Sequence, residues 1–364
     1  MNIFCTNCKR PYPEEGAPYK CPKCGGLFDA GPIIFDPDQV SKADKSIWRY
    51  RHTFSGIPES ADVVSLGEGN TPLIWTGVFG RQIAFKCEFL NPTGSFKDRG
   101  TTVITTFLKS RGITNAVEDS SGNAGASFAA YSAKAGIQAG IYIPASASGP
   151  KLNQIAAYGA QIFPVNGSRS DVTNALENAV FSKGITYGSH AYQAVNIAGY
   201  ATAAYEIYQQ LGSEPGSVIV PAGQGGLFLG IFRGFEALKN AGLIRKIPHM
   251  VGVQARACSP LWILSTAGTS AMGFIVEGKT LAEGIKVKQP VRAGTLLEIV
   301  DHDAGEFVVV DEIDILRGRD ELACKGLYVE PTSAVIWAAI EQSISRLPEP
   351  VVGILTGSGM KYSK

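Results

Sequence analysis

The chain has 364 residues, 45% hydrophobic and 18% charged, which supplies the cores of two or three domains and leaves too little charge for a disordered chain. Its 33 basic and 32 acidic residues give a net charge of +1, so no polybasic surface is expected to draw it to nucleic acid or anionic membrane. The 42 glycines suit tight turns and close backbone approach to a ligand.

In chain order, Met1 to Cys8 shows no basic stretch followed by an apolar one, so no signal peptide is expected. Cys5-x-x-Cys8 and Cys21-x-x-Cys24 follow, twelve residues apart and flanked by the turn formers Asn7, Pro22, Gly25 and Gly26. Two such knuckles bring four soft thiolates to a tetrahedron, the arrangement zinc prefers; four protein ligands leave no open position, so the metal's role would be structural. The alternative is a metal-free relic of the same ribbon. Residues 1–30 set Lys9, Arg10, Lys20 and Lys23 against Glu14, Glu15 and Asp29, which is no basic face, so the segment reads as an accessory module. Seven cysteines, an odd number with four crowded at one end, argue against a secreted disulfide framework and for a reducing cytoplasm. Pro32, Pro37 and Ser41 mark a linker.

From Val63 onward strand-like and helix-like runs alternate. Strands are expected at 83–88, 116–119, 140–143, 160–165, 217–220, 251–254 and 351–355, and helices at 98–111, 124–135 and 151–158. The alternation predicts an α/β fold with parallel sheets, in which ligands sit at the carboxyl ends of strands. The apolar run from Val218 to Phe232 is broken by Pro221, Gln224 and glycines and is no membrane span.

Four turns carry the candidate chemistry. Asn91-Pro92-Thr93-Gly94-Ser95-Phe96-Lys97 places a lysine amine at the start of a helix, where free backbone N–H groups and their dipole ease its deprotonation for attack on an aldehyde. Ser120-Ser121-Gly122-Asn123 opens the next helix; Ser120, Ser121 and the first helical N–H groups suit a carboxylate, and the Asn123 amide suits a phenolate-like oxygen. Gly223-Gln224-Gly225-Gly226-Leu227 suits a phosphate; it lacks the Gly-Lys-Ser/Thr of a P-loop, and Phe228 stands where a dinucleotide fingerprint needs its third glycine. Thr356, in Leu355-Thr356-Gly357-Ser358-Gly359, offers a hydroxyl to a ring nitrogen. An aldehyde-capturing amine, a partner for a ring oxygen, a phosphate cup and a ring-nitrogen partner together describe pyridoxal phosphate (PLP), held as a Schiff base on Lys97.

At these residues, and over the stretch from Gly67-Glu68-Gly69-Asn70-Thr71-Pro72 to Lys361, the chain resembles the threonine synthase family. That family is a branch of the fold-type-II PLP enzymes that also include tryptophan synthase β subunits and serine/threonine dehydratases. The resemblance implies a body of two parallel-sheet domains, residues 31–98 with 203–364 and residues 99–202, behind the ribbon at 1–30. It implies Lys97 as the Schiff-base lysine and Asn123 at the cofactor's ring oxygen. Residues 223–227 would hold the cofactor phosphate, Thr356 would meet the ring nitrogen, and Glu330-Pro331-Thr332-Ser333-Ala334 would line the cofactor. Conversion of O-phospho-L-homoserine and water to L-threonine and phosphate is the implied reaction, and a homodimer the implied assembly.

One segment departs from the family. Where its members carry a phosphate-holding arginine, this chain has Asn196, and Ala201 replaces a lysine; Lys151 and Arg99 are the candidate replacements. Dehydration of serine or threonine, β-replacement such as cysteate formation, and a catalytically silent zinc-ribbon regulator are the competing readings. The histidines 52, 190, 249 and 302 are scattered and receive no catalytic role, although His190 lies in the departing segment. Cys87, Cys258 and Cys324 are read as small buried residues.

Overall fold

The computed structural model describes residues 2–302 and 304–362. In chain order the elements are β1 (Ile3–Cys5), β2 (Phe28–Ala30), β3 (Leu73–Val78), β4 (Arg81–Lys86), α1 (Lys97–Ser110), β5 (Asn115–Glu118), α2 (Asn123–Ala135), β6 (Gln138–Pro144), α3 (Pro150–Ala157), β7 (Gln161–Val165), α4 (Arg169–Lys183), β8 (Thr186–Tyr187) and α5 (Asn196–Leu211). They continue with β9 (Ser217–Pro221), α6 (Gly226–Asn240), β10 (His249–Ala255), α7 (Pro260–Ala267), α8 (Ala293–Asp301), β11 (Gly305–Val310), α9 (Glu312–Cys324), α10 (Pro331–Ser343) and β12 (Val351–Ile354). The expected α/β alternation is present, with expected boundaries a residue or two from the observed ones.

Two compact units divide the chain: Met1–Gly69 with Asn91–Gly199 and Tyr362–Lys364, and Asn70–Leu90 with Tyr200–Lys361. The first holds a four-stranded sheet in the order β7-β6-β5-β8, with every pairing parallel. Val117, Tyr142, Val172, Leu176 and Tyr187 form a core of this unit, and the Tyr142 and Phe163 rings stack at 4.8 Å. Glycine is required where α5 begins against α1: a Cβ on Gly199 would stand 2.1 Å from the Arg99 carbonyl oxygen.

Strands β1 and β2 form an antiparallel ribbon within the same unit. It is fastened to α1 and α4. The Tyr12 ring lies 4.5 Å from Phe28 and 5.8 Å, edge-on, from Phe107 of α1. Arg111 donates to the Pro13 carbonyl at 3.1 Å, and Lys20 meets Glu177 of α4 at 2.8 Å. Trp48 Nε1 donates to Thr102 Oγ1 at 2.9 Å, which attaches the segment after the ribbon to α1 as well.

The second unit holds a six-stranded sheet, β11-β10-β9-β12-β4-β3. All its pairings are parallel except that of the edge strand β3 with β4. Strands β9 and β12 are buried at every residue, which is why they read in sequence as unbroken apolar runs. Helix α10, nearly all buried, packs with them into the main core of this unit. Cys87 and Cys258 are buried as expected, but Cys324 is exposed. The buried stripe of α9 runs through Ile315, Gly318 and Leu322, and position 324 falls on the opposite side of the helix.

Candidate active site

In the first unit, the loop before Lys97 is built around one buried carboxylate. Asp98 accepts the Thr93 backbone N–H at 2.7 Å, the Thr93 hydroxyl at 2.6 Å and the Ser127 hydroxyl of α2 at 2.6 Å. Gly94 sits at φ 84°, a left-handed conformation that glycine adopts without strain, and its N–H closes a turn on the Asn91 carbonyl at 2.8 Å. Lys97 therefore enters α1 from a fixed loop. Its side chain is half-buried, with Nζ 4.7 Å from the centre of the Phe96 ring. Two residues before it, Ser95 is fully buried and its hydroxyl has no hydrogen-bond partner among the described residues.

Strand β5 ends at Glu118, and the turn 120–122 leads into α2. Gly122 is the N-cap of this 13-residue helix and gives no side-chain cap, and half-buried Ser120 and Ser121 stand beside its first turn. Asn123 is the first helical residue and is half-buried. A Cβ on Gly125 would fall 1.8 Å from the Ser120 carbonyl oxygen, so the turn folds back tightly on the helix. Lys151 lies on the first turn of α3, half-buried; one turn later Gln154 donates to the Thr93 carbonyl at 3.2 Å, which docks α3 on the lysine loop. Asn196 is fully buried at the start of α5. Its amide donates to the His190 carbonyl at 2.6 Å, and its Oδ1 has no partner among the described residues. Arg99 is sealed from solvent, within electrostatic reach of Tyr131, whose hydroxyl donates to Glu68 at 2.7 Å.

A cluster of acids that sequence reasoning missed stands where β5 ends. Glu118 Oε1 is 2.7 Å from His190 Nδ1, and Oε2 accepts the His190 backbone N–H at 3.1 Å. Asp119 accepts the Tyr187 hydroxyl at 2.5 Å and the Thr173 hydroxyl at 2.7 Å, and pairs with Arg169 at 3.0 Å. Burial pushes the Glu118 carboxyl up to about 7, against hydrogen bonding from His190 and the charges of Arg169 and Lys97. Burial likewise holds His190 well below its ordinary value, and the Lys97 charge adds to the effect. The adjacent Glu118-Asp119 pair at a strand end was the available signal, since such positions in α/β folds face ligands.

In the second unit, the ladder of β9 ends where Ala222 N–H meets the Val253 carbonyl at 2.8 Å, and the glycine turn follows. Gly225 is at φ 78° and caps the 15-residue α6 without a side-chain bond, leaving the first-turn N–H groups open to an anion. The glycines are also required by packing: a Cβ on Gly223 would meet Ile285 Cα at 2.9 Å, and one on Gly225 would meet Leu296 Cδ1 at 2.2 Å. Gln224 turns its carboxamide oxygen to the Val291 N–H at 3.1 Å; Gly226 is half-buried and Leu227 buried. Thr356 is 2% exposed, and its Oγ1 lies 2.9 Å from Ser333 Oγ, which also accepts the Gly357 N–H at 2.8 Å. The 330–334 motif thus holds the hydroxyl of Thr356 in place.

In the first unit, a half-buried amine and a buried serine hydroxyl with no partner among the described residues suit the aldehyde and an oxygen of PLP; in the second, the start of the 15-residue α6 and a positioned threonine hydroxyl suit its phosphate and its ring nitrogen. Residues 64–357 match the family of pyridoxal-phosphate dependent enzymes, and the chain belongs to that family. Within it, the chain is 32% identical to the threonine synthase of Methanocaldococcus jannaschii, over 98% of this chain and 92% of that one. It is 30% identical to the threonine synthase of Methanosarcina acetivorans over 99% and 92%. Among solved structures it is similar to a threonine deaminase from T.th., with a TM-score of 0.69 at 25% identity over 81% of this chain and 94% of that one. The maize serine racemase, at 22% identity and TM-score 0.69 over 80% and 89%, shares the fold.

Proposed function

We propose that this enzyme is a threonine synthase that converts O-phospho-L-homoserine and water to L-threonine and phosphate. The observation that carries this reading is the likeness to archaeal threonine synthases over 98–99% of the chain, which takes in the amino-terminal cysteine segment as well as the α/β body. When bound, PLP supplies the electron sink for the carbanion at the substrate Cα. The side chains do the rest. Lys97 would hold the cofactor through its ε-amine, and the same amine is the base placed to take the substrate Cα proton. Ser120, Ser121 and the start of α2 would bind the substrate carboxylate, and Asn123 would donate to the cofactor's ring oxygen. The backbone of residues 223–227 at the start of α6 holds the cofactor phosphate. Thr356, fixed by Ser333, is a neutral partner for the ring nitrogen, which disfavours transamination.

Lys151, half-buried on the helix docked against the lysine loop, is assigned to the substrate phosphate. Arg99, fully buried, is not. Asn196 spends one of its two amide hydrogens on the His190 carbonyl and carries no charge, so it does not replace an arginine toward a phosphate. A phosphate-release assay with O-phospho-L-homoserine, with identification of the amino-acid product, tests the reading. Ammonia and keto acid from L-serine or L-threonine without phosphate release would replace it with a dehydratase, the reading favoured by the likeness to threonine deaminase. Cysteate from phosphoserine and sulfite would indicate β-replacement.

We assign the four amino-terminal cysteines to one structural zinc ion. Their sulfurs lie within 4.8 Å of one another, with Cys5–Cys24 at 3.5 Å and Cys8–Cys21 at 3.7 Å. These separations match the edge of about 3.8 Å of a tetrahedron with zinc–sulfur arms of about 2.3 Å. One equivalent of zinc in the purified protein, lost in Cys8→Ser, is the expected result. A cytoplasmic homodimer, the assembly and location expected from the sequence, completes the reading. No helix of the described residues is long and apolar enough to cross a membrane.

A further inference from the structure

Outside the groups used above, one buried pair of the first unit has the form of an acid–base dyad. The Glu118 carboxylate meets His190 twice, through the ring Nδ1 at 2.7 Å and through the backbone N–H at 3.1 Å, so it fixes the imidazole from one side. Asn196 holds the same residue from α5, by its amide to the His190 carbonyl at 2.6 Å. Glu118 is buried, but the His190 side chain keeps 16% of its exposure, and its Nε2 has no hydrogen-bond partner among the described residues. Three charged groups face the pair from the elements around it: Lys97 from α1, Arg169 from α4 and Asp119 from the end of β5. Asp119 and Arg169 are bound to each other at 3.0 Å, and Asp119 also takes the Tyr187 hydroxyl. The remaining cation acting on both members is Lys97.

We propose that His190, held by Glu118, is the second proton-handling residue of the Lys97 site. The inference rests on the assignment of Lys97 as the cofactor lysine. With the carboxylate ionised, Nδ1 carries the ring hydrogen and donates to Glu118, and Nε2 presents a lone pair. A proton released by the Lys97 ammonium then bonds to Nε2 as its Nζ–H bond breaks, and the imidazolium is balanced by the Glu118 carboxylate. If the proton settles on the carboxyl group instead, the O–H donates to Nδ1 and Nε2 still carries a hydrogen. One proton therefore turns Nε2 from acceptor to donor, and the hydrogen bond between Glu118 and Nδ1 persists in either form, its hydrogen on nitrogen in the first and on oxygen in the second. Burial raises the Glu118 carboxyl to about 7 and holds His190 below its ordinary value, so a proton taken up by the pair rests on the carboxyl while Nε2 carries the ring hydrogen. A carboxylate that orients an imidazole and supports its protonation is the relation on which hydrolytic triads depend.

The test follows the visible absorbance of the bound cofactor in the holoenzyme from about pH 5 to about pH 9, across the range in which histidine and this carboxyl titrate. It compares wild type, His190→Asn and Glu118→Gln. The asparagine variant keeps a donor toward Glu118 and removes Nε2; the glutamine variant keeps the shape and removes the charge. The expected result is a displacement of the absorbance midpoint by about one pH unit or more in both variants, a tenfold change in the protonation equilibrium. The corresponding limb of the kcat/KM profile should be lost, with the thermal midpoint of His190→Asn unchanged. A His190→Asn holoenzyme that titrates as wild type overturns the proposal, and that variant decides alone where Glu118→Gln does not fold. Lys97→Ala separates the two levels. If a borohydride-reducible adduct persists in it, the Lys97 assignment fails first; if the adduct is lost and His190→Asn still titrates as wild type, only the dyad fails.

Discussion

Two lysines, eleven positions apart in sequence and in different units, are buried to different ends. Lys86, at the end of β4 in the second unit, is fully buried, and its ammonium is bound by the Thr71 carbonyl at 2.7 Å, Glu206 at 2.6 Å and Gln210 at 3.0 Å. Three donors meet three acceptors, and the other Glu206 oxygen accepts the Asn70 N–H at 2.8 Å. A charge saturated in this way has nothing left to exchange and holds the chain where β3 begins. Lys97 in the first unit is half-buried at a helix start, in the field of a carboxylate–imidazole pair that keeps one nitrogen open. The contrast separates structural from chemical burial: a saturated charge supports the fold, and an unsaturated polar group beside a cation supports a reaction.

Lys97→Ala breaks the comparison on its chemical side and should have the largest effect. Loss of the borohydride-reducible adduct and a fall in turnover of about a thousandfold or more are expected, within the range for a lost general base. Urea unfolding of the same variant should show little change. Lys86→Met breaks the structural side. It leaves Glu206 buried without its cation, and urea unfolding should register a loss of about 3–5 kcal/mol, while any folded protein still forms the adduct.

Gly225→Ala comes next. The φ of 78° and the 2.2 Å approach to Leu296 predict a cost of about 1–3 kcal/mol in unfolding experiments, together with weaker binding of PLP by fluorescence titration. A smaller effect is the pH dependence of stability from Glu118. Its folded value, about 7, lies above the ordinary 4.5, so its contribution is fully present below pH 4.5 and is lost as pH rises through 7. The stability of wild type relative to Glu118→Gln should fall over that window and then level off, as measured by urea unfolding at a series of pH values. Arg111→Ala, which removes the bond to Pro13, should lower stability by about 0.5–1.5 kcal/mol and loosen the ribbon against α1 in hydrogen exchange.

Much of the fold was legible because β9, β10 and β12 are buried on both faces and announce themselves as apolar runs, while α1 and α2 follow glycine-containing turns. The lysine loop and the cysteine knuckles were legible because their residues are close in sequence. The pairing of Glu118 with His190 was not: they are 72 positions apart, and the acids at the end of β5 do not name their partner. The same holds for Ser333 beneath Thr356, 23 positions away, and for Tyr12 against Phe107. Cys324 was misjudged because hydrophobic character alone does not say which side of a helix a residue occupies; the stripe through Ile315, Gly318 and Leu322 does.

By itself, the sequence determined the alternation of strands and helices, the lysine and glycine turns at strand ends, and the four-thiolate set at the amino terminus. These follow from hydrophobic period, turn chemistry and ligand spacing, which are local properties. Only the tertiary structure decided which buried acid meets which base. Such a pairing depends on strand order and helix docking that bring distant segments together, and the low dielectric there converts proximity into altered proton affinity.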